Sequence, residues 1–288
     1  MTASVRLIAG NRLYLQHGPI DLIIGADGEA AEVEKSYVAA AKAFPGILPA
    51  LVAELALLRT RVTHPRPRSG GGKGNHPVAR RMHAAVWPYR DRFITPMAAV
   101  AGSVADHLLE KMLQAAPLRR AYVNNGGDIA LHLTPGERFT VGVVGDLALP
   151  GIDARVTIGA GDGIGGIATS GWRGRSQSLG IADAVTVLAG DAATADAAAT
   201  MIANAVNIED PVIERRPARE VKDDSDLGDL LVTVAVGQLS PEARARALGA
   251  GHDRAVEIFG QKHIIAAYIQ LQGEMVVVGA KAPAAVAA

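Results

Sequence analysis

Apolar and polar positions alternate in short runs along SVRLIAGNRLYLQHGPIDLIIGADG, Ser4–Gly28, with turn residues at Gly10-Asn11, Gly18-Pro19 and Asp27-Gly28. This period of two, broken by tight turns, predicts two or three antiparallel strands. From Glu29 to Arg61 the apolar spacing becomes helical, interrupted by Pro45-Gly46 and Pro49. The stretch THPRPRSGGGKGNHP, Thr63–Pro77, is rich in Pro, Gly and Arg and predicts a mobile loop at about 63–77. In DRFITPMAAVAGSVADHLLEKMLQA the chain starts extended and turns helical after Thr95-Pro96, with proline near the first helical position.

Strand rhythm returns in RAYVNNGGDIALHL, where an Asn-Asn-Gly-Gly turn separates two strands, and continues through RFTVGVVGD and ARVTIGAGDGIGGIATSG. DAVTVLA reads as a buried strand and TADAAATMIANAVN as a helix. QKHIIAAYIQLQGEMVVVGA gives two strands around a Gln-Gly-Glu turn, and residues 280–288 read as a frayed tail. Strands and helices mix without a βαβ rhythm, so the expected class is α+β with largely antiparallel sheets and packed helices. No repeat or composition break divides the chain, which predicts a single domain over 1–279.

Composition narrows the functions. Of 288 residues 49% are hydrophobic and 20% charged, and Lys+Arg balances Asp+Glu at 29 each. A neutral chain exerts no long-range pull on nucleic acid or anionic lipid, so neither is an expected partner. Aromatics at 4% are too few for a stacking platform. The absence of cysteine excludes disulfides, thiolate metal sites and a thiol nucleophile. The beginning of the sequence shows no long apolar signal core, and no apolar run is expected to reach membrane-spanning length, which together predict a cytoplasmic protein.

Several short constellations carry candidate chemistry. Asp196 and Thr200 stand four apart in an alanine-rich helix and share one face. Both offer hard oxygen ligands suited to Mg²⁺, and the alanines around them leave room for a ligand. The alternative is an exposed acid in the first helical turn beside a surface threonine. In NNGGD, Asn124–Asp128, consecutive glycines let a ligand approach the backbone, or simply make a hairpin turn. GIGGIATSG offers backbone amides to an anion but lacks the lysine and spacing of a P-loop. Arg173 and Arg175 are either phosphate partners or solvated surface cations. SGGGKGNHP has no preceding strand and no Gly-Lys-Ser/Thr, and the eight histidines form no sequence ligand pair. Asp183, at the head of a core strand, is either a cap or a site residue.

The order of these pieces is more specific than any one of them. AAVAGSVAD, AYVNNGGDIAL, FTVGV, GIATSG and AVTVLAGDAATADAAAT, in that sequence, resemble the ApbE-like superfamily, founded on Mg²⁺-dependent FAD:protein FMN transferases. The closer likeness is to its UPF0280 branch, which has no firmly assigned activity. The resemblance implies an ApbE-like fold and assigns Asp196 and Thr200 to Mg²⁺. It places Asn125, Gly126, Gly127 and Asp128, with Thr169, Ser170 and Gly171, around a flavin nucleotide, FAD or FMN. Asp106, which the motif retains, and Asp183 are the candidate catalytic residues.

Two departures from the transferases stand out. Ala101 occupies the place of their lysine in GGIAKGYAVD, and RSQSLGIADAVTV has no histidine where they carry His-x-x-Asp/His-Pro. Phosphoryl chemistry depends on groups that neutralise developing charge, so transfer of that kind is in doubt. The expectation is therefore an ApbE-like protein binding a flavin nucleotide with Mg²⁺ between the GGD turn, the ATSG turn and the Asp196 helix. If it is an enzyme, it is a divergent Mg²⁺-dependent flavin-nucleotide transferase or hydrolase. The alternatives are an enzyme of small-metabolite chemistry, sulfur metabolism included, that reuses the pocket for another anionic ligand, or a non-catalytic flavin- or partner-binding module. A homo-oligomer is compatible with all three.

Overall fold

A computed structural model of the chain describes residues 2–63, 76–143, 154–279 and 284–285. The expected loop at 63–77 lies, apart from its ends, outside the described residues, as does most of the tail at 280–288. In chain order the strands are β1 Ser4–Ile8, β2 Arg12–His17, β3 Ile20–Asp27, β4 Arg120–Asn125, β5 Asp128–Leu133, β6 Arg138–Val143, β7 Ala154–Gly159, β8 Gly166–Ser170, β9 Ala184–Ala189, β10 Ile213–Pro217, β11 Leu231–Val236, β12 Ala266–Leu271, β13 Glu274–Gly279 and β14 Ala284–Ala285. The helices are α1 Ala30–Ala43, α2 Ile47–Ala53, α3 Leu55–Leu58, α4 Pro77–Val86, α5 Val100–Ala115, α6 Ala192–Ala205, α7 Ala218–Val221 and α8 Pro241–Gly260.

The chain packs as two compact units. The first holds Met1–Arg138, Gly159–Ile167 and Gly190–Ala197, and the second Phe139–Ile158, Ala168–Ala189 and Ala198–Ala288. In the first unit β1 to β5 pair antiparallel with their neighbours in sequence. The turns explain why. Gly10 and Asn11 both take positive φ in the three-residue loop between Ile8 and Arg12, and Gly18 takes positive φ before Pro19 in the two-residue loop between His17 and Ile20, backbone shapes that match strand twist in tight hairpins. The start of β8 lies antiparallel to β5, with Ile129 opposite Ile167.

Alternation along β2 and β3 sends Leu13, Leu15, Leu22 and Ile24 to one face. There they share a core with Tyr37 and Phe44 from the α1 region and Val104, Leu108 and Met112 of α5. Each fully buried side chain of this size stabilises the fold by about 1.5–3 kcal/mol. The helical run Ala30–Ala53 is, by length and composition, apolar enough to cross a membrane, which corrects the expectation that no run reaches that length. Its apolar character has a local cause, because Val33, Tyr37, Ala40, Phe44, Ile47 and Leu51 pack inward.

In the second unit β12 pairs antiparallel with both β9 and β13. Every residue of β9 is buried, as the unbroken apolar run DAVTVLA predicted. Helix α8 packs against β12 and β13, capped by Ser240, whose hydroxyl accepts the Ala243 N–H at 3.1 Å, with Pro241 at the first helical position. β10 and β11 form an antiparallel pair, and β14, β7 and β6 lie in a three-stranded sheet. The described architecture is α+β with antiparallel sheets.

Candidate functional site

The first turns of α5 and α6 meet in the first unit. At the start of α6, Asp191 accepts the Thr194 N–H at 2.8 Å and the Thr194 hydroxyl at 2.9 Å. Asp106, from the middle of α5, accepts the N–H groups of Ala192 and Ala193 at 3.0 and 2.9 Å. The first three amides of α6, normally orphaned, thus all end on carboxylates of the chain itself. In return Asp196 of α6 accepts the Gly102 N–H in the first turn of α5 at 3.0 Å. Such close approach requires glycine, because a Cβ on Gly102 would sit 2.2 Å from the Ala192 carbonyl oxygen. Gly166 is constrained in the same way, with a Cβ falling 2.2 Å from the Ala192 nitrogen. Backbone packing in the first unit therefore accounts for part of the glycine-rich stretch.

The GGD turn belongs to this cluster. Asn125, buried at the end of β4, donates from Nδ2 to the Ala101 carbonyl at 3.1 Å, fixing the same turn of α5. Gly126 and Gly127 take φ of 65° and 116°, and the Gly127 N–H donates to Asn124 Oδ1 at 2.9 Å. The turn residues are exposed, and a Cβ on Gly127 would meet nothing within 4 Å. Asp128 closes the hairpin opposite Asn125.

The electrostatics follow first from burial and then from crowding of acids. Burial raises the Asp196 carboxyl well above the usual carboxylate range, and the charges of Asp128 and Asp106 raise it further against the pull of the Gly102 and Ala101 amides. Asp106 is raised to about 6, first by burial and then by Asp191, with the Ala193 and Ala192 amides and Arg81 opposing. Arg81 approaches Asp106 only at 3.9 Å, while it pairs with Glu110 at 2.9 Å. On α6, Asp196 sits past the first turn and is half-buried, so it is not the exposed first-turn acid of the alternative reading.

Asp183, Thr169, Ser170, Gly171 and Thr200 fall in the second unit. Asp183 is buried, and its carboxylate accepts from Arg173 Nε at 2.8 Å, Trp172 Nε1 at 3.2 Å and the Gln272 N–H at 2.5 Å. It ties the segment after β8 to the β12–β13 turn. Arg173, expected as a phosphate partner or a solvated cation, is instead ion-paired here. Thr169 and Thr186 share a hydroxyl–hydroxyl bond at 2.9 Å. Ser170 is half-buried, and a Cβ on Gly171 would fall 2.4 Å from the Asp183 carbonyl oxygen. Thr200 is half-buried one turn beyond Asp196 on α6.

Among the described residues no three His, Cys, Asp or Glu side chains group to hold a metal ion. Asp196 and Thr200 nevertheless supply hard oxygen donors, and the acidic field around Asp196 suits a divalent cation. Sequence reasoning missed Asp191 as the cap of α6, although its signal, an acid before an alanine-rich helix with Thr three residues on, was visible. It also missed a cavity of about 420 Å³ lined by Arg81, Asp106, Leu109, Glu110, Leu113 and Gln114, which none of the GGD residues line.

Comparison with known proteins places this architecture. The chain belongs to the family described as AbpE bacteria, whose model matches residues 5–277. It is similar to proteins described as UPF0280. It is 38% identical over 154 residues to a UPF0280 protein of Methanothermobacter thermautotrophicus, a match covering 50% of this chain and 56% of that protein. A UPF0280 protein of Methanothrix thermoacetophila is 38% identical over 159 residues, covering 53% and 64%. The chain thus matches somewhat more than half the length of these relatives. Among solved structures, the flavinyl transferase ApbE of Pseudomonas stutzeri in its apo form is 14% identical with a TM-score of 0.40, covering 96% of this chain and 95% of that one. The ApbE protein of Thermotoga maritima is 15% identical with a TM-score of 0.37, covering 90% and 77%.

Proposed function

We propose that the protein binds a flavin nucleotide, FAD or FMN, together with Mg²⁺. Asp196, with Thr200 one helical turn further on, would hold the metal, and the GGD turn of Gly126, Gly127 and Asp128 would offer its open backbone to the nucleotide. One observation carries the reading: the Asp196 carboxylate, which accepts the Gly102 N–H at 3.0 Å, stands in the negative field of Asp128 and Asp106. A divalent cation would relieve that field and bridge to phosphate oxygens. Asn125 and the Gly102 amide hold Asp196 and the first turn of α5 in place, and the open backbone at Gly127 leaves room for a ligand. When bound, the metal supplies charge neutralisation of the pyrophosphate.

The test is calorimetric titration of FAD and FMN with Mg²⁺ and with EDTA. Affinity should fall in EDTA for the wild type. Asp196→Asn, which keeps an oxygen for the Gly102 amide, should abolish the Mg²⁺ dependence while leaving the fold intact. Equal wild-type affinity in Mg²⁺ and EDTA would remove the metal from the reading.

A further inference from the structure

Helix α4 starts on a histidine cap. His76, its N-cap residue, accepts the Val78 N–H through Nδ1 at 3.3 Å. The His76 backbone N–H donates in turn to Glu54 Oε1, at the junction of α2 and α3, at 2.9 Å. An imidazole that accepts at Nδ1 carries its single proton on Nε2 and is neutral. A second proton turns that acceptor into a donor, so the cap exists only while His76 is uncharged. The helix end itself opposes the cation, because the first turn of α4 holds no acid and Arg80 and Arg81 follow.

The His76 ring rests against a second imidazole. His107, in the middle of α5, meets it edge to face, with ring centroids 5.3 Å apart and planes at 65°. His107 is 4% exposed, and its Nδ1 is buried with no hydrogen-bond partner among the described residues. A second proton on this ring would leave a buried cationic N–H without an acceptor, which costs more than the neutral orphan. The charged groups acting on the pair come from three places: Glu54 at the α2–α3 junction, Arg80 and Arg81 on α4, and Glu110 and Lys111 on α5. Glu54 favours a proton on His76 and Glu110 one on His107, but burial outweighs both. His76 is held below the usual imidazole range, and His107 is lowered from 6.5 to about 4.

We propose that the His76–His107 contact is an acid-released latch, which holds the first turn of α4 on α5 near neutral pH. A proton on His76 removes the cap. A proton on His107 leaves an unsatisfied buried N–H, and both together set two cations in contact. Release lets water reach His107, so the open turn binds protons more tightly than the closed one and acid drives opening. The latch is fully effective above pH 6.5 and weakens as pH falls towards 4. For His107 alone, closed at about 4 and open at its ordinary 6.5, the open fraction rises roughly 20-fold from pH 7 to pH 5. One helical turn into α4 stands Arg81, 3.9 Å from Asp106, so release also loosens a cation beside that acid.

The test is hydrogen exchange of the full chain by mass spectrometry at pH 7 and pH 5, corrected for the intrinsic rate at each pH, with α8 as the internal reference. Protection in the first turn of α4 should fall roughly 20-fold relative to α8. His107→Phe keeps a ring against His76 that takes no proton, and should remove most of the fall. His107→Leu takes its place if the larger ring unfolds the chain. His76→Asn keeps a capping oxygen that does not titrate, and should remove the share that His76 supplies. Equal changes in α4 and α8 of the wild type would overturn the proposal. So would a fall that persists when both histidines are replaced.

Discussion

Asp106 and Asp196 cap each other's helices. Asp106 projects from α5 to the first two amides of α6, and Asp196 projects from α6 to the first turn of α5. Two positive helix ends converge there, each neutralised by the other helix's acid. The arrangement explains how two acids tolerate a crowded, largely dry site.

Asp106→Ala should cost about 2–4 kcal/mol, because two helix amides would be left buried without partners. Urea denaturation with an unchanged slope checks it. A loss below about 0.5 kcal/mol would mean that water replaces the carboxylate at no cost.

Gly102→Ala tests the close approach itself. The added methyl would sit 2.2 Å from the Ala192 oxygen, and that oxygen is backbone, so one helix must move. The expected result is loss of more than about 3 kcal/mol or failure to fold. Gly127→Ala meets no atom and should cost only the strain of its positive φ, about 1 kcal/mol. Equal losses at the two sites would refute the packing argument.

The hairpins were legible because their turn chemistry is local: Gly10-Asn11, Gly18-Pro19, Gly126-Gly127 and Gln272-Gly273 stand where positive φ is needed. The buried strand β9 and the helix α6 could be read from unbroken apolar or alanine-rich runs. The role of Asp106 could not, because its partners lie 86 and 87 residues away and no periodicity encodes a cap supplied by another helix. Asp183 likewise looked ambiguous until Gln272, 89 residues on, joined its partners. Helix α8 went unread although Ser240-Pro241-Glu242 is a regular start signal.

Stability should fall as pH rises from 4 to 6, because two raised carboxyls, Asp106 and Asp196, outweigh one strongly lowered histidine. Asp106 has its carboxyl raised from 3.8 to about 6. Its contribution is fully present below pH 4 and is lost as pH rises through 6. His107, buried against His76, is lowered from 6.5 to about 4, mainly by burial. Its contribution is present above pH 6.5 and is lost as pH falls towards 4. His107→Leu removes the opposing group and should steepen that fall by about 1–3 kcal/mol between pH 4 and 6. Denaturant titrations at several pH values check this, and a wild type that loses stability steeply on acidification over this window would contradict it.

The chain should not transfer FMN to a protein threonine at a useful rate. Ala101 stands where the resemblance expects a lysine, and its backbone is already committed, with its carbonyl accepting from Asn125 Nδ2 in the first turn of α5. A methyl group cannot neutralise a phosphoryl oxygen, and loss of one such electrostatic group costs on the order of 10²–10³ in rate. Asp106 cannot substitute, because it is an acid whose two oxygens hold the amides of α6. Ground-state contacts are less affected: the proposed Mg²⁺ donors and the open GGD turn are present in full, so binding without transfer is the expected pattern. The assay incubates the protein with FAD, Mg²⁺ and a flavinylation-target domain and looks for covalent fluorescence on a denaturing gel. No band should form above background. A strong band, lost in Asp196→Asn, would restore the transferase and show that another cation of the chain takes the lysine's place.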